Sequence, residues 1–243
     1  MIAGLKREGP AFLASVKSAE EALAALDAGA DLIDGKDPVA GALGALDLAT
    51  VRGIVDAIAS RRPVSATVGD LPAEPEAMAS AVTEMASTGV DLIKIGFFGD
   101  RDPQAAIQRL GRDGHWRGRM VAVLMADRAP DFAILPLLAA NGFAGVMLDT
   151  AGKSSGRLTS VLSRDRLAEF VRTGRAAGLT TGLAGSLAIE DIASLMPLSA
   201  DILGFRGALC RDGRTGTLDP QRVAAVHAAL TREFKAPQER SVA

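Results

Sequence analysis

The 243-residue chain is 48% hydrophobic and 23% charged, with a formal net charge of -2 that gives no reason to expect a nucleic-acid partner. It has no uncharged apolar run long enough to span a bilayer, its charged N-terminus is unlike a signal peptide, and its single cysteine excludes an intrachain disulfide. We therefore expect a cytoplasmic protein, of a length that α/β barrels commonly fill as one domain.

Strand-type and helix-type runs alternate along the chain from end to end. In chain order, the predicted strands are 12–16 (FLASV), 31–36 (DLIDGK), 64–69 (VSATVG), 91–96 (DLIKIG), 120–126 (MVAVLMA), 145–150 (GVMLDT), 180–186 (TTGLAGS) and 201–207 (DILGFRG). Between the first two strands, Ser18 and Glu21 have the spacing of a helix capping box, and a glycine closes the run.

Eight such strand–helix units, without a linker between them, predict the fold. They favour an α/β protein with a single (β/α)8 TIM barrel over residues 1–243 and a short polar tail from about residue 231. The alternative is a doubly wound open sheet, which predicts a glycine-rich loop directly after the first strand. The sequence there, SVKSAEE, contains no glycine.

Charged residues cluster at the predicted C-terminal ends of the strands, where the active sites of such barrels lie. Asp34 and Lys36 end the second strand two residues apart, so their side chains share one face of it. Lys94 lies in the fourth strand, and the sixth ends with Asp149, followed by Lys153 in the next loop. These five residues form our candidate catalytic set.

Lysine is scarce in this chain, which makes its positions informative. Six of the 27 basic residues are lysines and the other 21 are arginines, yet Lys36, Lys94 and Lys153 all fall at or just after strand ends. Arginine does not give up its proton in a protein, whereas lysine can, and can then form a Schiff base with a carbonyl. Asp34 or Asp149 would move protons as the carbinolamine collapses.

Each of these residues also has an ordinary structural explanation. Lys36, followed by an aspartate and a proline, fits the start of a solvated loop, and Asp149 fits a cap for the next segment. Lys94 is harder to explain in this way, because a lysine among apolar residues must reach solvent or a partner. The coincidence at three strand ends favours the catalytic interpretation.

The last two predicted strands end in small residues that indicate a phosphate site. Gly185 and Ser186 end the seventh strand, and Arg206, Gly207 and Ala208 end the eighth. Loops after these two strands often bind phosphate in such barrels through backbone N–H groups, and Arg206 would add a bidentate contact. The alternative is that the glycines only make tight turns.

The remaining reactive residues are weaker candidates. His115 lies in a polar segment at the wrong end of the barrel, and His227 falls within the last helix. Cys210 follows the eighth strand without an identifiable base, and Asp70 and Asp127 follow strands without an assignable role. No spacing of His, Asp and Glu predicts a metal site.

Several motifs together resemble one family. They are DGKDPVAGALGA (34–45), SATVGD (65–70), DLIKIG (91–96), MLDTAGK (147–153), LAGS (183–186) and RGALC (206–210). In combination they resemble the (5-formylfuran-3-yl)methyl phosphate synthase family, also called 4-hydroxymethyl-2-furancarboxaldehyde-phosphate synthase, over nearly the whole chain.

The resemblance implies a TIM-barrel lyase of methanofuran biosynthesis, which serves one-carbon metabolism. The family condenses two molecules of glyceraldehyde 3-phosphate and releases phosphate and water. Its Schiff-base lysine matches Lys36, its other functional lysines match Lys94 and Lys153, and its aspartates match Asp34 and Asp149. We accordingly expect a phosphorylated small-molecule substrate, no cofactor beyond the covalent Schiff base, no membrane or nucleic-acid partner, and a homo-oligomer.

Two other functions stay open at this point. A Schiff-base aldolase, or a phosphosugar isomerase, would use the same lysine and the same phosphate site on another substrate. A non-catalytic barrel that binds a phosphorylated metabolite would tolerate Lys36→Arg, but it does not explain amines at three strand ends.

Overall fold

Eight parallel strands close into a barrel in the structure, a computed structural model that describes residues 2, 9–99, 101–112, 114–152 and 156–240. The strands are β1 (Ala11–Val16), β2 (Leu32–Gly35), β3 (Val64–Thr67), β4 (Leu92–Phe97), β5 (Met120–Met125), β6 (Phe143–Asp149), β7 (Thr180–Leu183) and β8 (Ile202–Phe205). Each pairs with its neighbours in sequence, and β8 returns to β1 with Ile202 opposite Ala11. This closure confirms the TIM barrel and excludes the open doubly wound sheet.

Helices connect the strands on the outside of the barrel. They are α1 (Ala19–Asp27), α2 (Leu48–Ile58), α3 (Pro75–Ala86), α4 (Gln104–Arg112), α5 (Leu135–Ala140), α6 (Leu158–Val161), α7 (Arg164–Ala176), α8 (Ile192–Leu195) and α9 (Pro220–Arg240). The polar segment from residue 231, predicted as a tail, is the C-terminal part of α9. None of the helices in the described residues is both long and apolar enough to cross a membrane.

Side chains on each strand alternate between the barrel interior and the surrounding helices. On β1, Phe12 packs in the cluster shared with the helices, whereas Leu13 belongs to a separate apolar cluster. Because the side-chain period of a strand is two, the next residue on the inner face lies one layer closer to the C-terminal end. This step leads from Leu13 to Ser15, from Leu32 to Asp34 and from Leu92 to Lys94. The interior is therefore an apolar layer with a polar layer above it.

Candidate active site

The C-terminal end of the barrel opens into a cavity of about 390 Å³. Its lining includes Lys36, Lys94 and Asp149 from the predicted catalytic set, together with the residues at the ends of β7 and β8. Lys153, the remaining lysine of that set, lies outside the described residues. The cavity therefore brings together side chains from strands that are distant in sequence.

Lys36 and Asp149 form an ion pair across the mouth of this cavity. Lys36 directly follows β2, where its backbone N–H donates to the carbonyl of Val16 at 2.9 Å. Its Nζ lies 3.2 Å from Oδ2 of Asp149, and the two side chains are 12% and 11% exposed. The other carboxylate oxygen of Asp149 accepts the N–H of Thr150 at 2.8 Å. The pair thus places an amine beside a fixed carboxylate, within reach of a ligand in the cavity.

Lys94 and Asp34 form a second ion pair, deeper in the barrel. Lys94 Nζ lies 2.9 Å from Oδ2 of Asp34, and the two side chains are 3% and 0% exposed. Asp34 also accepts hydrogen bonds from the hydroxyls of Ser15, at 2.9 Å, and Ser65, at 2.6 Å. Three donors thus compensate the buried carboxylate, as a charge away from water requires. Asp34 and Lys36, neighbours in the sequence, take different partners.

The turns after β7 and β8 form another wall of the cavity. Gly185 has a φ of +108°, and a Cβ atom there would lie 3.0 Å from Cγ2 of Thr150, so a side chain would be strained in both conformation and space. Ser186 follows with a φ of +50° and is exposed, while Gly207 and Ala208 begin a 3₁₀ turn that ends at Leu209. All four line the cavity, and their binding of phosphate stays a prediction.

Comparison with known sequences decides the family. Residues 12–227 match the family described as 4-HFC-P synthase. The chain belongs to this family. A protein of Methanopyrus kandleri named (5-formylfuran-3-yl)methyl phosphate synthase is 39% identical over 215 residues, which cover 84% of this chain and 91% of that protein. A Methylorubrum extorquens protein to which the same name is assigned provisionally is 46% identical over 232 residues. The match covers 94% of this chain and 95% of that protein.

Solved structures related to this member of the 4-HFC-P synthase family share its fold. Phosphoribosyl anthranilate isomerase from Thermus thermophilus superimposes with a TM-score of 0.64 at 17% identity, covering 91% of this chain and 98% of that one. A 3-hexulose-6-phosphate synthase gives 0.61, also at 17% identity, with coverages of 92% and 99%. At such identities the likeness supports the TIM barrel alone.

Arg206 has a different task from the one predicted for it. Its Nε donates to the carbonyl of Arg214 at 2.9 Å, and Nη1 donates to that of Ser15 at 3.1 Å and to Glu21. Nη2 donates to Glu21 at 3.4 Å and to the carbonyl of Gly216 at 2.8 Å. These bonds use all five N–H groups, so a bidentate phosphate contact would require Arg206 to release its partners. We correct the prediction accordingly: Arg206 supports the surrounding loops.

The Glu21–Arg206 pair should contribute to the acid sensitivity of this family member. Burial opposes ionisation of Glu21, but the hydrogen bond and charge of Arg206, with the N–H groups of Lys17 and Leu218, lower its pKa below the ordinary 4.5. The pair's contribution to folding is therefore complete above pH 4.5 and is lost as the pH falls through the lower folded-state pKa.

We expect Glu21→Gln to reduce the free energy of unfolding by about 3–5 kcal/mol, because it leaves Arg206 buried without a counter-charge. Denaturant titration at neutral pH measures this loss, and the variant should lose less stability than the parent on acidification. Glu20→Gln, at the neighbouring exposed position, is the matched control and should leave the free energy of unfolding nearly unchanged. Equal stability of the two variants would contradict the assignment.

Asp70 and Asp127, which the sequence left without a role, hold the loops of the site. Asp70 accepts the N–H groups of Ala42 and Leu43 at 2.9 and 2.7 Å, in the loop that begins with Lys36. Asp127 accepts the N–H groups of residues 151 and 152 at 2.8 and 2.7 Å, in the loop that follows Asp149. Each carboxylate therefore fixes the backbone of a loop that follows a candidate catalytic residue.

The other residues considered weak candidates lie away from the cavity or are unreactive. His115 belongs to a 3₁₀ turn that precedes β5, at the N-terminal end of the barrel. His227, on α9, packs against Gly29, where a Cβ atom would lie 2.5 Å from its Nδ1. Burial raises the pKa of the Cys210 thiol, which favours the neutral form. These positions agree with the low priority that the sequence gave them.

Sequence reasoning missed two hydroxyls and two arginines of this site. Ser15 and Ser65 bond to Asp34, and Arg157 and Arg214 line the cavity. The two-residue period of the strand could have identified Ser15 as an inward-facing residue, because it follows Leu13 on the inner face of β1. No spacing signal distinguishes Arg157 or Arg214 from the other arginines, since both lie in loops.

Proposed function

We propose that this protein is a (5-formylfuran-3-yl)methyl phosphate synthase that condenses two molecules of glyceraldehyde 3-phosphate through a Schiff base on Lys36. The observation that carries the proposal is the Lys36–Asp149 pair, at 3.2 Å, inside a cavity at the C-terminal end of the barrel. A primary amine beside a carboxylate is what imine chemistry needs. Membership of the 4-HFC-P synthase family supports the choice of substrate and product.

In the proposed first half-reaction, Lys36 attacks the aldehyde carbon of one triose phosphate. Proton transfers through Asp149 convert the carbinolamine to an iminium ion with loss of water. The iminium makes the hydrogen on the neighbouring carbon acidic, and its removal by a carboxylate gives an enamine that expels phosphate from the third carbon, breaking a carbon–oxygen bond. The enol left on Lys36 is nucleophilic at this third carbon, which attacks the carbonyl carbon of the second triose phosphate in its keto form, reached by a proton shift from the aldehyde, and forms the new carbon–carbon bond.

In the proposed second half-reaction, the Lys94–Asp34 pair acts at the floor of the cavity. The ammonium of Lys94 would stabilise the negative charge that develops on the oxygen of the attacked carbonyl. Ring closure and loss of two water molecules then give an aromatic furan, and hydrolysis of the imine frees Lys36 and leaves the formyl group of the product. The product has the composition of two triose phosphates minus one phosphate and two water molecules. The overall reaction therefore needs no redox cofactor. Carbon–oxygen bonds break in the eliminations, which makes the enzyme a carbon–oxygen lyase.

The biological setting follows from the product. A furan bearing a formyl group and a phosphorylated hydroxymethyl group is a precursor for a methanofuran-type carrier, so we place the enzyme in the synthesis of a one-carbon carrier. Its cytoplasmic location and assembly as a homo-oligomer stay predictions from the sequence.

Incubation with glyceraldehyde 3-phosphate alone tests the proposed function. We expect a product with strong ultraviolet absorption, and one phosphate released for every two triose phosphates consumed. Ultraviolet spectroscopy follows the absorption of the product, a phosphate assay measures the released phosphate, and mass spectrometry gives the mass of the product. A non-aromatic hexose bisphosphate as the end product would identify an aldolase instead, dihydroxyacetone phosphate alone an isomerase, and binding without turnover a non-catalytic barrel.

A further inference from the structure

We propose that Arg214 contacts a phosphate group of the substrate at the rim of the cavity. The ligand is a phosphate monoester, and the inference rests on the proposed function because that function supplies the triose phosphate. Arg214 thereby takes the direct contact that the sequence predicted for Arg206.

Arg214 lies in the segment that connects β8 to α9, here called the β8–α9 arm (residues 210–218). An antiparallel bridge between Cys210 and Leu218 closes the base of the arm. A Cβ atom on Gly207 would lie 3.8 Å from the backbone nitrogen of Arg214. The arm therefore runs beside the β8 turn that the sequence predicted to bind phosphate.

The tip of the arm is fixed from below by two cations. Arg206, itself paired with Glu21, donates to the carbonyls of Arg214 and Gly216 at 2.9 and 2.8 Å. Lys17 Nζ donates to the carbonyl between them, that of residue 215, at 3.2 Å. Three consecutive carbonyls are thus held, and the Arg214 backbone has a defined position over the cavity.

The Arg214 side chain is fixed on its other side by the loop that begins with Lys36. Its Nε and Nη2 donate to the carbonyl of Pro38 at 3.3 and 2.6 Å, and Nη2 also donates to that of Gly41 at 2.7 Å. These bonds use one edge of the guanidinium. In the part of the chain that the structure describes, Nη1 donates to no group, which leaves two N–H groups for a ligand.

The uncompensated charge of Arg214 supports a phosphate contact more strongly than its free N–H groups do. Five cations of the described residues line the cavity, and four of them face carboxylates: Lys36 faces Asp149, Lys94 faces Asp34, Arg206 faces Glu21, and Arg157 lies 3.7 Å from Asp191. Arg214, by contrast, bonds only to neutral carbonyls, and no carboxylate of the described residues lies within 4.0 Å of it. A half-buried guanidinium with a free edge and an uncompensated charge is suited to a phosphate.

The test measures phosphate recognition separately from Schiff-base formation. Arg214→Met removes the charge, Arg214→Lys keeps it, and Arg211→Met changes an exposed arginine of the same arm as a control. Borohydride trapping is titrated with glyceraldehyde 3-phosphate and, separately, with unphosphorylated glyceraldehyde. We expect Arg214→Met to raise the half-saturating concentration of the phosphorylated aldehyde about 10- to 150-fold, the scale of one lost hydrogen bond to a charged group. Trapping of plain glyceraldehyde should not change, and Arg214→Lys should give a smaller increase.

A second measurement keeps this inference separable from the proposed function. Inorganic phosphate should raise the melting temperature of the parent and of Arg211→Met, but not of Arg214→Met, whether or not the parent makes a furan. Retention of this effect in Arg214→Met, or an unchanged half-saturating concentration, would overturn the phosphate contact. An equal loss of trapping with both aldehydes would also overturn it, because Arg214 would then only hold the loop of Lys36. If the parent makes no furan but Arg214→Met alone loses the phosphate effect, the proposed function fails and the phosphate contact stands.

Discussion

Replacing Lys36 by alanine should reduce furan formation by at least about 10⁴-fold, since removing the covalent nucleophile of an enzyme costs up to about 10⁶-fold. The reason is that no other described amine is placed in the same way. Lys94 lines the same cavity, but its ammonium is engaged by the fully buried Asp34 at 2.9 Å. Lys36→Arg should be equally inactive, because a guanidinium keeps the charge but does not form the Schiff base.

Borohydride reduction with glyceraldehyde 3-phosphate identifies the reacting amine directly. The mass of the reduced adduct should appear on the peptide that contains Lys36 and should be absent from Lys36→Ala. Lys235→Ala, which removes an exposed lysine on α9, is the matched control and should keep both the adduct and the activity. An adduct that persists in Lys36→Ala, or that lies on Lys94, would contradict the assignment.

Chemical rescue distinguishes a missing amine from a damaged site. In Lys36→Cys, alkylation with bromoethylamine restores a primary amine on a side chain of nearly the same length. The one native thiol, Cys210, is buried and has a raised pKa, so the folded protein should react mainly at position 36. Recovery of furan formation after alkylation supports the nucleophile. Full alkylation without recovery would indicate that the loss came from the structure of the loop.

The sequence predicted several residues that line the cavity because a barrel brings all C-terminal strand ends to one face. Lys36, Lys94 and Asp149 line the cavity for this reason, and the period of two explains why Asp34 faces inward above Leu32. Gly185, in the turn after β7, was also recognisable, since a backbone with positive φ favours glycine there.

The partners of these residues were not predictable from local patterns. Lys36 pairs with a residue 113 positions away and Lys94 with one 60 positions away, so both pairs depend on how the barrel closes. Glu21 shows the same limit. Its spacing from Ser18 predicts a capping box, and Ser18 does accept the N–H of Glu21, but the carboxylate bonds to Arg206, 185 positions along the chain. A local motif therefore described only half of what this side chain does.

Removing the two charges of the Asp34–Lys94 pair singly and together should distinguish a structural role of the pair from a catalytic one. Lys94→Met leaves the Asp34 carboxylate buried without a counter-charge, and Asp34→Asn does the same to the Lys94 ammonium. Each change should therefore lower the free energy of unfolding by about 3–5 kcal/mol. The double variant has neither charge and should recover most of this stability. Denaturant titration of the four proteins gives the interaction energy as a double-mutant cycle.

Furan formation should not recover with stability in the double variant. We expect it to stay about 10²- to 10⁴-fold below the parent, the range for loss of a positioned acid–base group. The borohydride-trapped adduct on Lys36 should persist, because Lys36 has its own partner in Asp149. This combination, with stability restored, adduct formed and product absent, places the pair in the steps that follow the Schiff base. Recovery of product along with stability would instead make the pair a purely structural one, and loss of the adduct would show that Lys94 and Asp34 act before the first bond is made.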